Sequence, residues 1–357
     1  MSQKKIIFTG GGTGGHVIPN IAIIKALEIP SDSILYIGSK KSIEESLIKK
    51  EGIRFAPIFS GKLRRYFSLQ NFIDPLKVLI GFLQSLCIIY RFKPQLVFSK
   101  GGFVSLPVVY ASWILKIPII IHESDLSPGL TTKLTASLAN KILLTFKESL
   151  KFFKDPSKVV ICGSPVRESL LNGSRQRGLQ FCGLSGKLPI LLVMGGSTGS
   201  AFLNTFIGDN LDSLLKNFEI IQITGARKSN PQLENISGYK QFEYVGSEIG
   251  DIFAAADLIL SRAGANTLYE ILRLKKPALL IPLPRGASRG DQLENAAIFE
   301  QAGISLVIRE ESANIENVSQ ALEKLLAESA HFVDKMSRYE QLDGLKEIKE
   351  IIKAFLL

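Results

Sequence analysis

The chain has 357 residues, 46% of them hydrophobic and 21% charged, with a formal net charge of +10. It is too long for one ordinary core and too apolar for disorder, so two folded domains are expected. Its three cysteines, Cys87, Cys162 and Cys182, form no disulfide framework and lack zinc-site spacing; with no signal peptide at the start, they point to a reducing cytoplasm.

The strand-like run Lys5–Phe8 leads into GGGTGGH, Gly10 to His16. Five glycines in six residues, ahead of a helix start, let backbone N–H groups approach an anion in a favourable dipole. Gly10, Gly12 and Gly15 also satisfy G-x-G-x-x-G. A dinucleotide site wants in addition an acid ending the second strand. Here Ile34–Ile37 runs into Gly38, Ser39 and Lys40, which disfavours an oxidoreductase. His16, with Pro19 in the same first turn, sits where the helix dipole disfavours an imidazolium. A neutral ring there either accepts a proton or bonds a carbonyl.

Basic residues mix with apolar ones between Lys49 and Lys100, and Phe72–Tyr90 is the most apolar segment. Its uninterrupted runs fall short of the roughly 20 residues that span a bilayer. It is expected either as a core helix or as a membrane-facing one, with Lys62, Arg64 and Arg65 beside it for anionic headgroups.

Leu96–Phe98 precedes a second glycine turn, SKGGFVSLP. Ile119–Ile121 precedes HESDLSPG, in which His122 and Glu123 are expected to satisfy each other and the loop backbone. Lys141–Thr145 and Val159–Cys162 complete the first set of strands; Gly163–Arg167 marks a boundary, and Asn172–Lys187 reads as a polar surface linker. Pro189–Val193 then opens an echo of the first loop, MGGSTGS, followed by strands Glu219–Thr224, Phe242–Val245, Leu258–Ser261 and Ala278–Ile281. Alternation of this kind predicts parallel sheets with crossover helices, in two Rossmann-like α/β domains. We expect these over 1–163 and 164–340, with 341–357 a helix packing back on the first.

Several polar residues fall where such a sheet takes a ligand, at the carboxyl ends of strands. Asp125 follows the fifth strand run, and Glu270 lies low in the helix of SRAGANTLYE. A carboxylate can accept two hydrogen bonds from adjacent ribose hydroxyls. Asp291, Gln292 and Asn295 suit sugar hydroxyls. There is neither an Asp-x-Asp pair nor a Walker loop. No metal and no cofactor are therefore expected, and Arg167 is the cation chosen for a leaving pyrophosphate.

GGTGGH, SKGGFVSLP, HESDLSPGL, GSPVR, MGGSTGS, SRAGANTLYE and SRGDQLENA occur in this order over nearly the whole chain. Together they closely resemble the MurG family, the undecaprenyldiphospho-muramoylpentapeptide β-N-acetylglucosaminyltransferases. The resemblance implies the GT-B glycosyltransferase fold, with two Rossmann-like domains whose parallel sheets face across a cleft. It implies inverting transfer of N-acetylglucosamine from UDP-N-acetylglucosamine to the muramoyl 4-hydroxyl of lipid I, giving lipid II for peptidoglycan. The enzyme would work at the cytoplasmic face of the plasma membrane. The partners implied are the two substrates, an anionic membrane surface and a cell-wall synthesis complex, but no nucleic acid. The acceptor falls to the first domain and the donor to the second.

Matched residue by residue, Thr13, Gly14, Gly15 and His16 correspond to the first loop, Arg167 to the arginine near the donor diphosphate, and Ser197 to the serine of the second-domain loop. Glu270 corresponds to the ribose-binding glutamate and Gln292 to one of two adjacent glutamines, the other being Asp291 here. Ser124 and Asp125 replace the more usual Gln-Asn, so the resemblance implies a contact to the donor sugar from a carboxylate instead of an amide. Tyr244 or Val245 occupies the uracil region. His16 is the expected general base and Asp125 the runner-up. A related transferase acting on diacylglycerol and a UDP-N-acetylglucosamine 2-epimerase are the alternatives.

Overall fold

The computed structural model describes residues 4–61, 70–196, 198–286, 288–339 and 342–356, with the side chains of 70–73 set aside. Lys62, Arg64, Arg65 and Ser197 lie outside the described residues. The chain forms two compact units, one of residues 1–165 with 342–357, the other of residues 166–341.

Among the described residues, the first unit carries a seven-stranded parallel sheet. Its strands are β1 (Ile6–Thr9), β2 (Ile34–Ser39), β3 (Arg54–Ile58), β4 (Leu96–Ser99), β5 (Ile119–Glu123), β6 (Lys141–Leu144) and β7 (Val159–Ile161). Their order is β3-β2-β1-β4-β5-β6-β7. Alternate side chains of β1 supply opposite cores, as strand geometry requires. Ile6 and Phe8 pack with Tyr36, Leu96 and Phe98 on one face, and Ile7 packs with Leu35, Ile37 and Val97 on the other. The helix Gly344–Leu356 joins the first of these cores through Ile348, Ile352 and Leu356, which recur every four residues along one stripe.

The second unit repeats the plan with β8 (Ile190–Met194), β9 (Glu219–Ile223), β10 (Tyr239–Phe242), β11 (Leu258–Ser261), β12 (Ala278–Leu280) and β13 (Leu306–Val307). Their order is β10-β9-β8-β11-β12-β13. In each sheet the order reverses beside the first strand, between β1 and β4 and between β8 and β11. A ligand crevice opens at such a point, beyond the carboxyl ends of the strands.

Three expectations are corrected. The edge strand β10 is Tyr239–Phe242, not the more apolar Phe242–Val245; Tyr239 pairs with Ile220 and its buried hydroxyl donates to Gln222 Oε1 at 2.7 Å. Arg54–Ile58 and Leu306–Val307 are additional edge strands. Within Asn172–Lys187 lies a helix, Arg175–Cys182, capped by Ser174 and tied to the rest of its unit by Arg177–Asp251 and Arg175–Asp257 ion pairs.

Candidate active site

In the first unit the loops after β1 and β4 lie against each other. Gly102 has φ +82, and a Cβ there would stand 2.1 Å from the Gly11 carbonyl oxygen, so only glycine permits this approach. The loop is partly self-satisfied. Gly11 N–H donates to Gly101 O (3.4 Å), and Gly12 N–H to Glu44 Oε2 (3.4 Å). Glu44 is fully buried, and its other oxygen takes Ser39 N–H at 3.2 Å. Gly11 and Gly12 N–H are thus engaged within the protein, while Gly14 and Gly15 open the helix Gly14–Leu27.

Thr13 is the N-cap of that helix, yet its hydroxyl does not cap it; it lies 3.1 Å from His16 Nδ1 instead. When Nδ1 donates to this hydroxyl, Nε2 is left as the basic nitrogen. Nε2 lies 3.9 Å from where a Cβ of Gly101 would be, so the ring borders the second glycine turn.

The β5 loop is organised by Glu123, which is buried. Its carboxylate accepts from Asp125 N–H (3.2 Å), Gly129 N–H (3.0 Å) and Thr132 Oγ1 (2.6 Å). His122 turns elsewhere, to Lys100, Thr145 and the Gly163 carbonyl, so the expected mutual pairing of His122 and Glu123 is corrected. Lys100, next to the glycine pair of its turn, was not singled out from the sequence. Its Nζ lies 2.7 Å from His122 Nδ1 and donates to Ser124 Oγ.

In the second unit the loop after β8 again depends on a glycine. Gly199 has φ +70, and a Cβ on it would come within 1.9 Å of Thr224 O. Ser200 caps the following helix by accepting from Leu203 N–H. A second residue missed from the sequence, Arg262, fixes this loop from the end of β11. It is 5% exposed; its Nε donates to Ser200 Oγ (3.0 Å), its Nη1 to Ile281 O (3.0 Å), and its Nη2 pairs with Glu310. A charged residue directly after a buried strand was the available signal.

Arg167 and Glu270 are brought together, Nη2 to Oε1 at 3.7 Å, longer than a direct hydrogen bond. Burial raises the Glu270 carboxyl above its ordinary pKa, and the Arg167 charge opposes that rise. Arg167 Nε is buried without a partner, which leaves a donor for an anion. Gln292 has its carbonyl engaged by Ala263 N–H (3.2 Å) and Leu283 N–H (3.0 Å), so its amide NH₂ is the part left for a ligand. Asn295 is fully buried and donates to Ala263 O, and Asp291 pairs with Arg289; these two serve the loop itself. Tyr244 is exposed and Val245 buried, so only the tyrosine offers a ring face at the surface. No three His, Cys, Asp or Glu side chains converge as a metal site among the described residues.

The helix Gln70–Phe92 buries Ile89 and Phe92, with Phe82 and Leu86 partly covered, against the first sheet. Its opposite face leaves Leu76, Leu79, Ile80, Leu83 and Tyr90 exposed. On the neighbouring helix Ser105–Ile114, Trp113 and Ile114 are also exposed. By length and composition alone, Asp74–Phe92 could cross a membrane. Its packing against the sheet shows that one face belongs to the core.

The glycosyltransferase family 28 N-terminal domain matches residues 6–144, and the family's C-terminal domain matches residues 190–353. A UDP-N-acetylglucosamine–N-acetylmuramyl-(pentapeptide) pyrophosphoryl-undecaprenol N-acetylglucosamine transferase of Clostridium botulinum is 49% identical over 353 residues, covering 99% of each chain. The Legionella pneumophila protein of the same description is 45% identical, covering 98% of this chain and 97% of its own. The crystal structure of Acinetobacter baumannii MurG superposes with a TM-score of 0.73 at 22% identity, covering 98% of this chain and 99% of that one. At that identity the likeness speaks for the two-domain fold.

Proposed function

We propose that this chain, which belongs to the UDP-N-acetylglucosamine–N-acetylmuramyl-(pentapeptide) pyrophosphoryl-undecaprenol N-acetylglucosamine transferase family, transfers N-acetylglucosamine from UDP-N-acetylglucosamine to the muramoyl 4-hydroxyl of lipid I. The product is lipid II. The observation that carries this reading is the 49% identity over essentially the full length of both chains. It favours neither a diacylglycerol transferase nor a 2-epimerase.

The chemistry follows from the residues. The first unit takes the acceptor, with its diphosphate against Thr13, Gly14 and Gly15 at the helix start. His16 Nε2 removes the proton of the attacking hydroxyl, while Nδ1–H is held by Thr13. Asp125 is the second candidate for this step. The second unit takes the donor. Glu270 accepts from the ribose hydroxyls, Tyr244 stacks on the uracil, and the Gln292 amide donates to the sugar. Arg167 and the loop around Ser197 neutralise the diphosphate. The hydroxyl oxygen bonds to the anomeric carbon as the bond to UDP breaks on the opposite face, which inverts the centre. UDP leaves with its charge stabilised, so a general acid is not required.

The direct test is incubation with radiolabelled UDP-N-acetylglucosamine and a short-chain lipid I analogue, with and without EDTA. Labelled disaccharide lipid that persists in EDTA is expected. Donor binding without disaccharide would overturn the acceptor assignment, and loss of product in EDTA would overturn the metal-independent mechanism.

We further propose that the protein sits peripherally on the cytoplasmic face of the membrane. The exposed face of Gln70–Phe92 would dip into lipid, with Lys77, Arg91, Lys116 and Lys133 on or beside these helices meeting anionic headgroups. Leu79→Glu together with Leu83→Glu is expected to lower partition onto anionic vesicles by at least ~10-fold, from the apolar area lost. Co-sedimentation measures it. Turnover of a soluble acceptor analogue should be unchanged, and undiminished vesicle binding would exclude this face.

A further inference from the structure

Strands β8 and β9 run parallel, with Met194 opposite Ile223, so the loops that follow them leave the sheet side by side. The two loops are nested. A Cβ on Gly199 would come within 1.9 Å of Thr224 O, and one on Gly225 within 2.5 Å of Thr198 O. The loop after β9 is also tied to β10. Asn230 N–H donates to Gln241 Oε1 (2.9 Å), and Gln241 Nε2 donates to Asn230 O (2.6 Å). Ser229 Oγ donates to Glu243 Oε1 at 3.1 Å. Arg227 N–H donates to the same carboxylate and, with the Ser229 hydroxyl, holds it below the usual glutamate range. Arg227 itself takes φ +58, a backbone region that a side chain enters only when its surroundings impose it.

This framework sets Lys228 against the MGGSTGS loop, where its Nζ donates to Thr198 O at 2.8 Å. An ammonium carries three donors, and one carbonyl engages one of them. The side chain is exposed and, among the described residues, pairs with no carboxylate. Gly196, two residues before Thr198, has φ +78, and nothing lies within 4 Å of where its Cβ would be. There the loop presents bare backbone with room beside it. A lysine anchored on a carbonyl of such a loop, with donors to spare, is a point charge suited to a phosphate.

We propose that Lys228 is a further donor-binding residue, whose ammonium, held on the Thr198 carbonyl, binds the diphosphate of the nucleotide sugar from the side of β9. This rests on the donor reading above. The loop after β9 then serves both ends of the nucleotide within one unit. Through Ser229 and Glu243 it adjoins Tyr244, assigned to the uracil, and through Lys228 it adjoins the glycine loop, assigned to the diphosphate.

The test uses the full chain and compares wild type with Lys228→Met and Lys228→Gln. The first removes the charge and the donors; the second keeps a donor for Thr198 O without the charge. UDP is titrated calorimetrically, and uridine, which has no phosphate, is measured by competition against UDP. The Kd for UDP is expected to rise about tenfold in both variants, the size of one charged hydrogen bond. Uridine should bind all three proteins alike. In turnover assays KM for UDP-N-acetylglucosamine should rise in step with the Kd for UDP, while KM for a short-chain lipid I analogue holds. Wild-type UDP affinity in Lys228→Gln overturns the proposal, because the charge would then be idle. So does an equal weakening of UDP and uridine, which would mark Lys228 as a clamp on the loop alone. A wild type that binds no UDP overturns the donor reading itself, and the role of Lys228 with it.

Discussion

His16→Ala is expected to lower kcat by about 10²–10⁴-fold, the range for loss of a general base, with KM for UDP-N-acetylglucosamine unaltered. The donor contacts proposed for Arg167, Tyr244, Glu270 and Gln292 come from the second unit, whereas His16 belongs to the first. Steady-state kinetics with each substrate varied separates the two effects. The comparison variant is Asp125→Asn. Whichever substitution abolishes the acid limb of the kcat profile identifies the base, because only that group must be unprotonated to act. A His16→Ala enzyme within about threefold of wild type would move the role to Asp125.

Glu270→Ala is expected to act on the other substrate. A charged acceptor contributes about 1.5–3 kcal/mol per hydrogen bond, and tenfold corresponds to about 1.4 kcal/mol. Loss of a ribose contact should therefore raise KM for UDP-N-acetylglucosamine by at least about tenfold. Calorimetric titration with UDP checks it without turnover. Acidification should mimic the substitution. Burial raises the Glu270 pKa, so the carboxylate proposed to accept from the ribose is lost at a higher pH than an ordinary glutamate's. Arg167 opposes this loss, and its charge is left uncompensated in Glu270→Ala. UDP affinity that is independent of Glu270 would move the ribose site elsewhere.

The central strands were legible because both of their faces are buried. β1, β4, β8 and β11 are short apolar runs, and their places in the sheets follow from alternation with helices. The edges were not. β3 contains Pro57, which only an edge tolerates, and exposes Arg54. β10 carries an exposed Lys240, so the apolar pattern pointed three residues too far on. In the site, the glycine loops announce themselves because their backbone conformation excludes other residues. Lys100, Arg262 and Glu44 do not. Each acts through partners remote in sequence, Lys100 on His122 and Ser124, Arg262 on Ser200, Glu44 on Gly12, and no local pattern specifies those meetings.

The helix Gly344–Leu356 closes the core built on Ile6 and Phe8, so the first unit is assembled from both ends of the chain. During synthesis its opening strands emerge long before the segment that covers them. The second unit, continuous in sequence, is finished first. The first sheet must therefore wait, with one face incompletely covered, until residues 344–356 have emerged from the ribosome. Changes to the helix Gly344–Leu356 thus bear on the maturation of the glycine loop after β1.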